Sequence, residues 1–548
     1  MRRIAWAALL TAAATSSVTA DTYPRQTGID AVHYIFRLAL GDGSDEIAGE
    51  ATVTVKFLLD KIGDVQLDLA SLAAGKGMTV ASVRRGGVTE IPGPASDAIV
   101  FTHANNRLRL VLPTASRAGE EFTFTIRYQG IPAEGLRFTN NIHGDRSVFS
   151  ENWPNRARHW LPMIDHPYDK ATGEFIVTAP NHYQVVANGL LIEELDLPTH
   201  ERRTHWKQSV PISSWLYAIG VARFSVHHAG LTNGVPLQTW VFPQDREAGR
   251  GLFEDLSRRA MDFFVSHIGP YSYEKLANVE AAGLNGGTEH ASAIFYGEKG
   301  VTAGRGPVVH EIAHQWWGNS VTERDWDDVW LSEGFATYFT LLFAEHDEGR
   351  DGFVAGLQQS RAQVLALEQK FPDTPVIHRN LSDMRRVLNG LVYQKAGWVL
   401  HMLRREVGTE IFWQAIRDYY RRYRDGNAST AELRAVFEQA SGKQLDWFFA
   451  QWLNRPGVPT VEGSWRYVPA QKAIEVTVSQ TQPADPFRVS VDVGIALKPG
   501  AVPRVERFEL ARRSATKTFP VEGEPAAVTI DPNTWLLMDP GVFGKRLQ

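Results

Sequence analysis

The stretch at 310–335, HEIAHQWWGNSVTERDWDDVWLSEGF, sets His310 and His314 four residues apart. Glu311 follows the first of them, and Glu333 lies 18 residues beyond the pair. Residues 308–319, entered through Gly306-Pro307, are expected to form a helix, on which positions i and i+4 share one face. His310 and His314 can then reach one ion. Zinc accepts imidazole nitrogens and carboxylate oxygens, and a catalytic zinc keeps three protein ligands and an open position. Glu311 would lie beside the ion, able to take a proton from a water whose pKa the metal has lowered. Composition predicts roughly 0.03 chance occurrences of H-E-x-x-H in such a chain. Glu333, in the helical stretch WLSEGFATYF, supplies the third ligand once the polar loop at 319–330 turns the chain back. A surface helix with two solvated histidines fits poorly with Trp316, Trp317, Trp330 and Phe335 so close by. The expected centre is therefore one zinc ion on His310, His314 and Glu333, with Glu311 as general base.

Elements that could position these residues follow from the changing period of the sequence. Up to about residue 225, ATVTVKFLLD, NRLRLVLP, EFTFTIRYQG and EFIVTAPNHYQVVANG alternate apolar and polar residues, as half-buried strands do. REAGRGLFEDLSRRAMDFFVSHIG then reads as an amphipathic helix closed by Gly269-Pro270, and helical patterns dominate from 307 to 452. Pro456-Gly457-Val458-Pro459 breaks the chain, after which AIEVTVSQ and FRVSVDVGIAL return to alternation. The expected fold class is multidomain α+β: an N-terminal antiparallel β domain at 21–225, a mainly α catalytic domain at 226–456, and a β-sandwich at 457–548.

Residues 1–20 open with Met1-Arg2-Arg3, continue through an apolar run and end on Val18-Thr19-Ala20, which predicts a secretory signal peptide and an exported protein, periplasmic or extracellular. The chain contains no cysteine, so disulfides, thiolate ligands and cysteine nucleophiles are excluded. A net charge of -5 leaves no basic footprint for a nucleic acid. No later segment approaches 18 uninterrupted apolar residues, so no membrane span is expected.

HEIAHQWWGNSVT and WLSEGFA resemble the zinc aminopeptidases of the gluzincin clan, the family of alanyl aminopeptidase and leukotriene-A hydrolase. Their run is H-E-x-x-H-Q-W-F-G-N-x-V-T followed by W-L-x-E-G-F-A. The resemblance implies a thermolysin-like catalytic domain, and peptides with a free N-terminus as partners. It also implies His310, His314 and Glu333 as zinc ligands and Glu311 as general base. LVYQKAGWVLHML resembles the segment whose tyrosine stabilises the tetrahedral intermediate, which gives that role to Tyr393. RHWLPMIDHPYDKATGEF is similar to the R-x-x-F-P-x-x-D-x-P stretch of the family's N-terminal domain.

The chain also departs from the family. Where the relatives carry G-A-M-E-N, this sequence has Gly286-Gly287-Thr288-Glu289-His290. The resemblance implies substrate binding by Gly286, Gly287, Glu289 and His290, with Glu289 holding the free α-amino group. The family's second amine contact lies five residues before an arginine, here Arg158, and that position holds Trp153; Glu151 stands two residues further back. Two other activities stay open: a metallopeptidase that cuts internally or removes dipeptides, and a non-catalytic peptide-binding module.

Overall fold

The computed structural model describes residues 21–87, 97–378, 381, 384 and 387–546. The expected leader at 1–20 lies outside them. Among the described residues, the N-terminal domain is built on a seven-stranded sheet. Its centre pairs Ile29–Ala39 in parallel with Lys170–Pro180 and antiparallel with Ile47–Phe57. The period-two sequence pattern becomes one buried face: Ala171, Phe175, Val177 and Ala179 are at most 2% exposed, and the residues between them are half-buried. A second sheet, in the order Gln184–Ala187, Ile219–Ala222, Arg146–Ser150, Leu136–Asn140, carries the domain toward the cleft.

The catalytic domain begins with a sheet rather than a helix. Ser225–Thr232, Val235–Val241, Leu276–Ala281, Ala293–Gly297 and the short edge strand Gly287–Thr288 are neighbours in that order. The helix Arg246–His267 packs on this sheet, with Phe253 against Tyr296 and the Asn278 amide donating to Ser257 Oγ at 3.0 Å. Helices Val308–His314, Trp330–Asp347, Arg350–Lys370 and Ala396–Val407 follow. The stretch AELRAVFEQASGKQLDWFFAQWL, uninterrupted in its pattern, is two helices, Thr430–Ser441 and Asp446–Leu453. Gly442 ends the first at φ 68°, a left-handed conformation that glycine adopts without steric cost.

The loop expected at 319–330 is not solvated. It contains the strand Val321–Glu323, which pairs in parallel with Gly426–Ala428, and Thr322 and Glu323 are fully buried. The C-terminal region packs a four-stranded sheet against a three-stranded one. No helix of the described residues is long and apolar enough to cross a membrane.

The first two domains are bolted together beside the edge strand. Asn188 donates to Leu216 O and to Ala291 O (2.8 and 2.6 Å), and buried Lys275 donates to Ala187 O and Gly189 O (both 2.7 Å). These contacts hold the segment leading to Glu289 against the strands of the N-terminal domain.

Candidate active site

The helix Val308–His314 presents His310 and His314 on one face, as the spacing requires, and Trp330–Asp347 crosses it with Glu333 in its first turn. Nε2 of His310 and Nε2 of His314 lie 3.1 Å apart, at 3.5 and 3.2 Å from Glu333 Oε2. One ligand atom from each residue falls within 4.8 Å of the others. Nδ1 of His314 faces the carbonyl of Trp317 at 3.0 Å, and a carbonyl only accepts, so the proton sits on Nδ1 and the Nε2 lone pair points at the cluster. Ser332 Oγ, 3.2 Å from the same Nδ1, adds a second orienting contact.

Three carboxylates, Glu289, Glu311 and Glu333, are each at most 4% exposed here. Burial pushes Glu311 well up from the ordinary carboxylate range and also raises Glu289; Glu333 raises both further, and Glu289 adds to the effect on Glu311. Burial also resists ionisation of Glu333, but His314 and His310 hold it down at about 2. The same carboxylates draw His314 up to about 10 against its own burial. The donor set fits zinc: two imidazole nitrogens and one carboxylate converge, Glu333 Oε2 is buried without a hydrogen bond, and a dication supplies charge that three buried carboxylates lack. A proton on His314 and a zinc ion compete for the same lone pair.

Tyr393 stands on a single π-helical turn, Leu391–Lys395, which leads into Ala396–Val407. Such a turn inserts one extra residue into the helix and re-aims the side chains around it. The Tyr393 hydroxyl donates to Glu333 Oε1 at 2.8 Å, and its ring stacks near His310 with centroids 6.2 Å apart. Two residues on, fully buried Lys395 pairs with Glu368 (2.7 Å) and donates to Gly457 O (3.0 Å), tying the turn to the start of the C-terminal region.

A cavity of about 420 Å³ contains the zinc trio, Glu311 and Tyr393. Of the four residues expected to bind substrate, Gly287 and Glu289 line it, whereas Gly286 and His290 do not. Glu289 enters the cavity next to Gly287 and Thr288, whereas His290 turns into the core. There His290 lies against Phe295, Nδ1 donates to Trp215 O (3.2 Å), and burial drives its pKa down to about 4. Gly286, at φ 80°, shapes the turn instead. Gly287 is required for space: a Cβ there would stand 2.5 Å from Glu311 Cγ and Oε1.

Sequence reasoning missed what holds Glu289. The Trp215 indole donates to its Oε1 at 3.2 Å, and Gln315 and Asn319 donate to its backbone carbonyl at 3.0 and 2.6 Å. Both belong to the quoted HQWWGN run, so a role for them was available in the sequence. Trp153 stacks on Trp215 and Trp326, with centroids 5.6 and 4.7 Å away. Glu151 also lines the cavity, where it is ion-paired with both Arg137 and Arg156.

The profile of the Peptidase M1 N-terminal domain matches residues 30–216, and that of the Peptidase family M1 domain matches residues 300–452. The chain belongs to peptidase family M1. Glutamyl aminopeptidase of Mus musculus is 26% identical over 362 residues, 62% of this chain and 37% of its own length. Puromycin-sensitive aminopeptidase of Caenorhabditis elegans is 25% identical over 83% of this chain and 50% of its own. The chain thus spans half or less of these two relatives. The crystal structure of an M1 zinc metallopeptidase from Deinococcus radiodurans superposes with a TM-score of 0.66 at 24% identity, covering 79% of this chain and 95% of that one. A variant of that peptidase solved with a Tyr-Ser-Ala substrate gives 0.67 at 25%. The N-terminal β domain and the helical catalytic domain are those of this family.

Proposed function

We propose that this protein is a zinc-dependent aminopeptidase that hydrolyses the first peptide bond of peptides with a free N-terminus. The observation that carries the proposal is Glu289, a buried carboxylate outside the metal trio, held by Trp215 in the same cavity as that trio. A substrate ammonium paired with it is fixed at one end of the site, and a fixed amine sets which carbonyl is presented. Zinc on His310, His314 and Glu333 supplies a Lewis acid for that carbonyl and lowers the pKa of the attacking water. Glu311 takes the proton of the water and passes it to the leaving nitrogen. Tyr393 donates its hydroxyl proton in a hydrogen bond to the oxyanion as charge develops.

We further propose that the chain is exported, on the leader pattern at 1–20. The test of the activity uses one peptide in free and acetylated forms, followed by mass spectrometry with the zinc-loaded protein. Stepwise loss of single residues from the free form alone is the expected result. Equal internal cutting of both forms would refute it and establish an endopeptidase.

A further inference from the structure

The wall of the cavity at the Glu289 end is basic. Arg137, on the strand Leu136–Asn140, donates from Nη2 to Glu151 Oε2 at 3.1 Å and from Nη1 to Gly283 O at 3.0 Å. Arg156 forms an ion pair with the same oxygen of Glu151. Both guanidiniums and Glu151 line the cavity that holds the zinc trio. Their position along it follows from the tryptophans: Glu151 is two residues from Trp153, which stacks on Trp215, which donates to Glu289. That puts the ion-pair cluster at the Glu289 end of the cavity, within reach of the first residue of a peptide whose amine Glu289 holds.

Two cations on one carboxylate leave a positive excess in the lining. Arg156 has a second acidic partner, Glu134, at 2.9 Å, but that side chain is 57% exposed and lies outside the cavity. Arg137 has no acidic partner except Glu151 among the described residues, and its side chain is 44% exposed. Both guanidiniums hold Glu151 Oε2, so its charge is already shared with two cations before a substrate ammonium arrives. The ammonium of the substrate is matched by Glu289 alone, so the unshared charge of Arg137 is left to act on the first side chain. A carboxylate there gains a charge-assisted, planar partner, and a lysine or arginine meets like charge.

We propose that Arg137, backed by Arg156 through Glu151, makes this site select an acidic first residue, Asp or Glu. The inference rests on the aminopeptidase reading above and narrows its substrate class. It is tested with four peptides that differ only in the first residue: Glu, its neutral isostere Gln, Lys, and Glu with an acetylated amine. Values of kcat/KM are measured on the zinc-loaded full chain at low and at raised salt.

The expected order is Glu over Gln over Lys, with Glu ahead of Gln by about fivefold or more at low salt, as a partly exposed charge pair allows. That ratio shrinks as salt screens the pair. Arg137→Gln brings it close to one, and Arg137→Lys retains most of it. A Glu/Gln ratio near one in the native protein, or one that Arg137→Gln leaves intact, overturns the selectivity while single-residue trimming still stands. Cutting of the acetylated peptide at the rate of the free one removes the aminopeptidase reading, and this inference falls with it.

Discussion

Tyr393 Oη lies 2.8 Å from Glu333 Oε1, so the phenol expected to meet the oxyanion is bonded to a residue of the metal trio. The hydroxyl is thereby aimed at the metal side of the cavity. Replacing Tyr393 by Phe keeps the ring on the π-helical turn and removes the donor. We expect kcat to fall about 10²–10³-fold with KM nearly unchanged. Zinc content, measured on the same preparations, should stay near one per chain.

Glu311→Gln preserves size and most contacts but cannot take a proton. Turnover should fall about 10²–10⁴-fold while zinc stays bound. Loss of zinc in this variant would instead make Glu311 a ligand, which its position beside the trio does not support.

Gly287→Ala tests the close approach of the edge strand. The added methyl would sit 2.5 Å from Glu311 Oε1, and either the strand or the base must move. A displacement near 1 Å costs about 10²-fold in kcat/KM. The thermal midpoint should change little, because the contact is local; a large drop would point to a structural role alone.

Lys395 and Glu368 form a buried pair beneath the turn that carries Tyr393. Lys395→Met strands the Glu368 carboxylate, at a cost of about 3–5 kcal/mol. Adding Glu368→Leu should recover most of the lost stability but not all of the activity, because Gly457 then has nothing to hold the turn. Denaturant midpoints and kcat on the single and double variants separate the two effects.

Asp169 gives the pH dependence of stability a definite sign. Burial pushes its carboxyl up to about 8, although the N–H of Ala31 bonds Oδ2 at 3.2 Å and works the other way. In the unfolded chain the carboxyl ionises near 3.8, so between about 4 and 8 the folded state holds the extra proton. This contribution is complete below the lower value and is lost as pH rises through the upper one. Asp169→Asn should gain thermal midpoint relative to the native protein on going from pH 5 to 8. An unchanged difference across that range would refute the assignment.

The zinc trio was legible because its information is local: two histidines one turn apart, and a glutamate on the next helix with tryptophans around it. The alternating strands were legible for the same reason, since period two needs no partner to be seen. What holds Glu289 was not. Trp215 is 74 residues away, and nothing near either residue marks the pair. Arg137 lies on one strand and Glu151, 14 residues on, just past the end of the strand paired with it, so their meeting depends on register. The turn at Tyr393 departs from helical period by one residue, which a periodic pattern absorbs without trace. The 319–330 loop reads as polar because its composition is polar, whereas Val321–Glu323 pairs with a strand a hundred residues on and is buried by it.

Gln315 and Asn319, which suspend Glu289 by its carbonyl, lie in the turn that directly follows the zinc ligand His314. The span from amine anchor to metal is therefore written into one short piece of backbone rather than into the docking of domains. Trp215, from the N-terminal domain, bonds the carboxylate of that anchor, and Asn188 bonds Ala291 O two residues on. If the two domains flex, the mouth of the cleft widens and the anchor's grip loosens, yet the place of the cut does not drift. Such a molecule can change how readily it admits a chain end without changing the length of its bite.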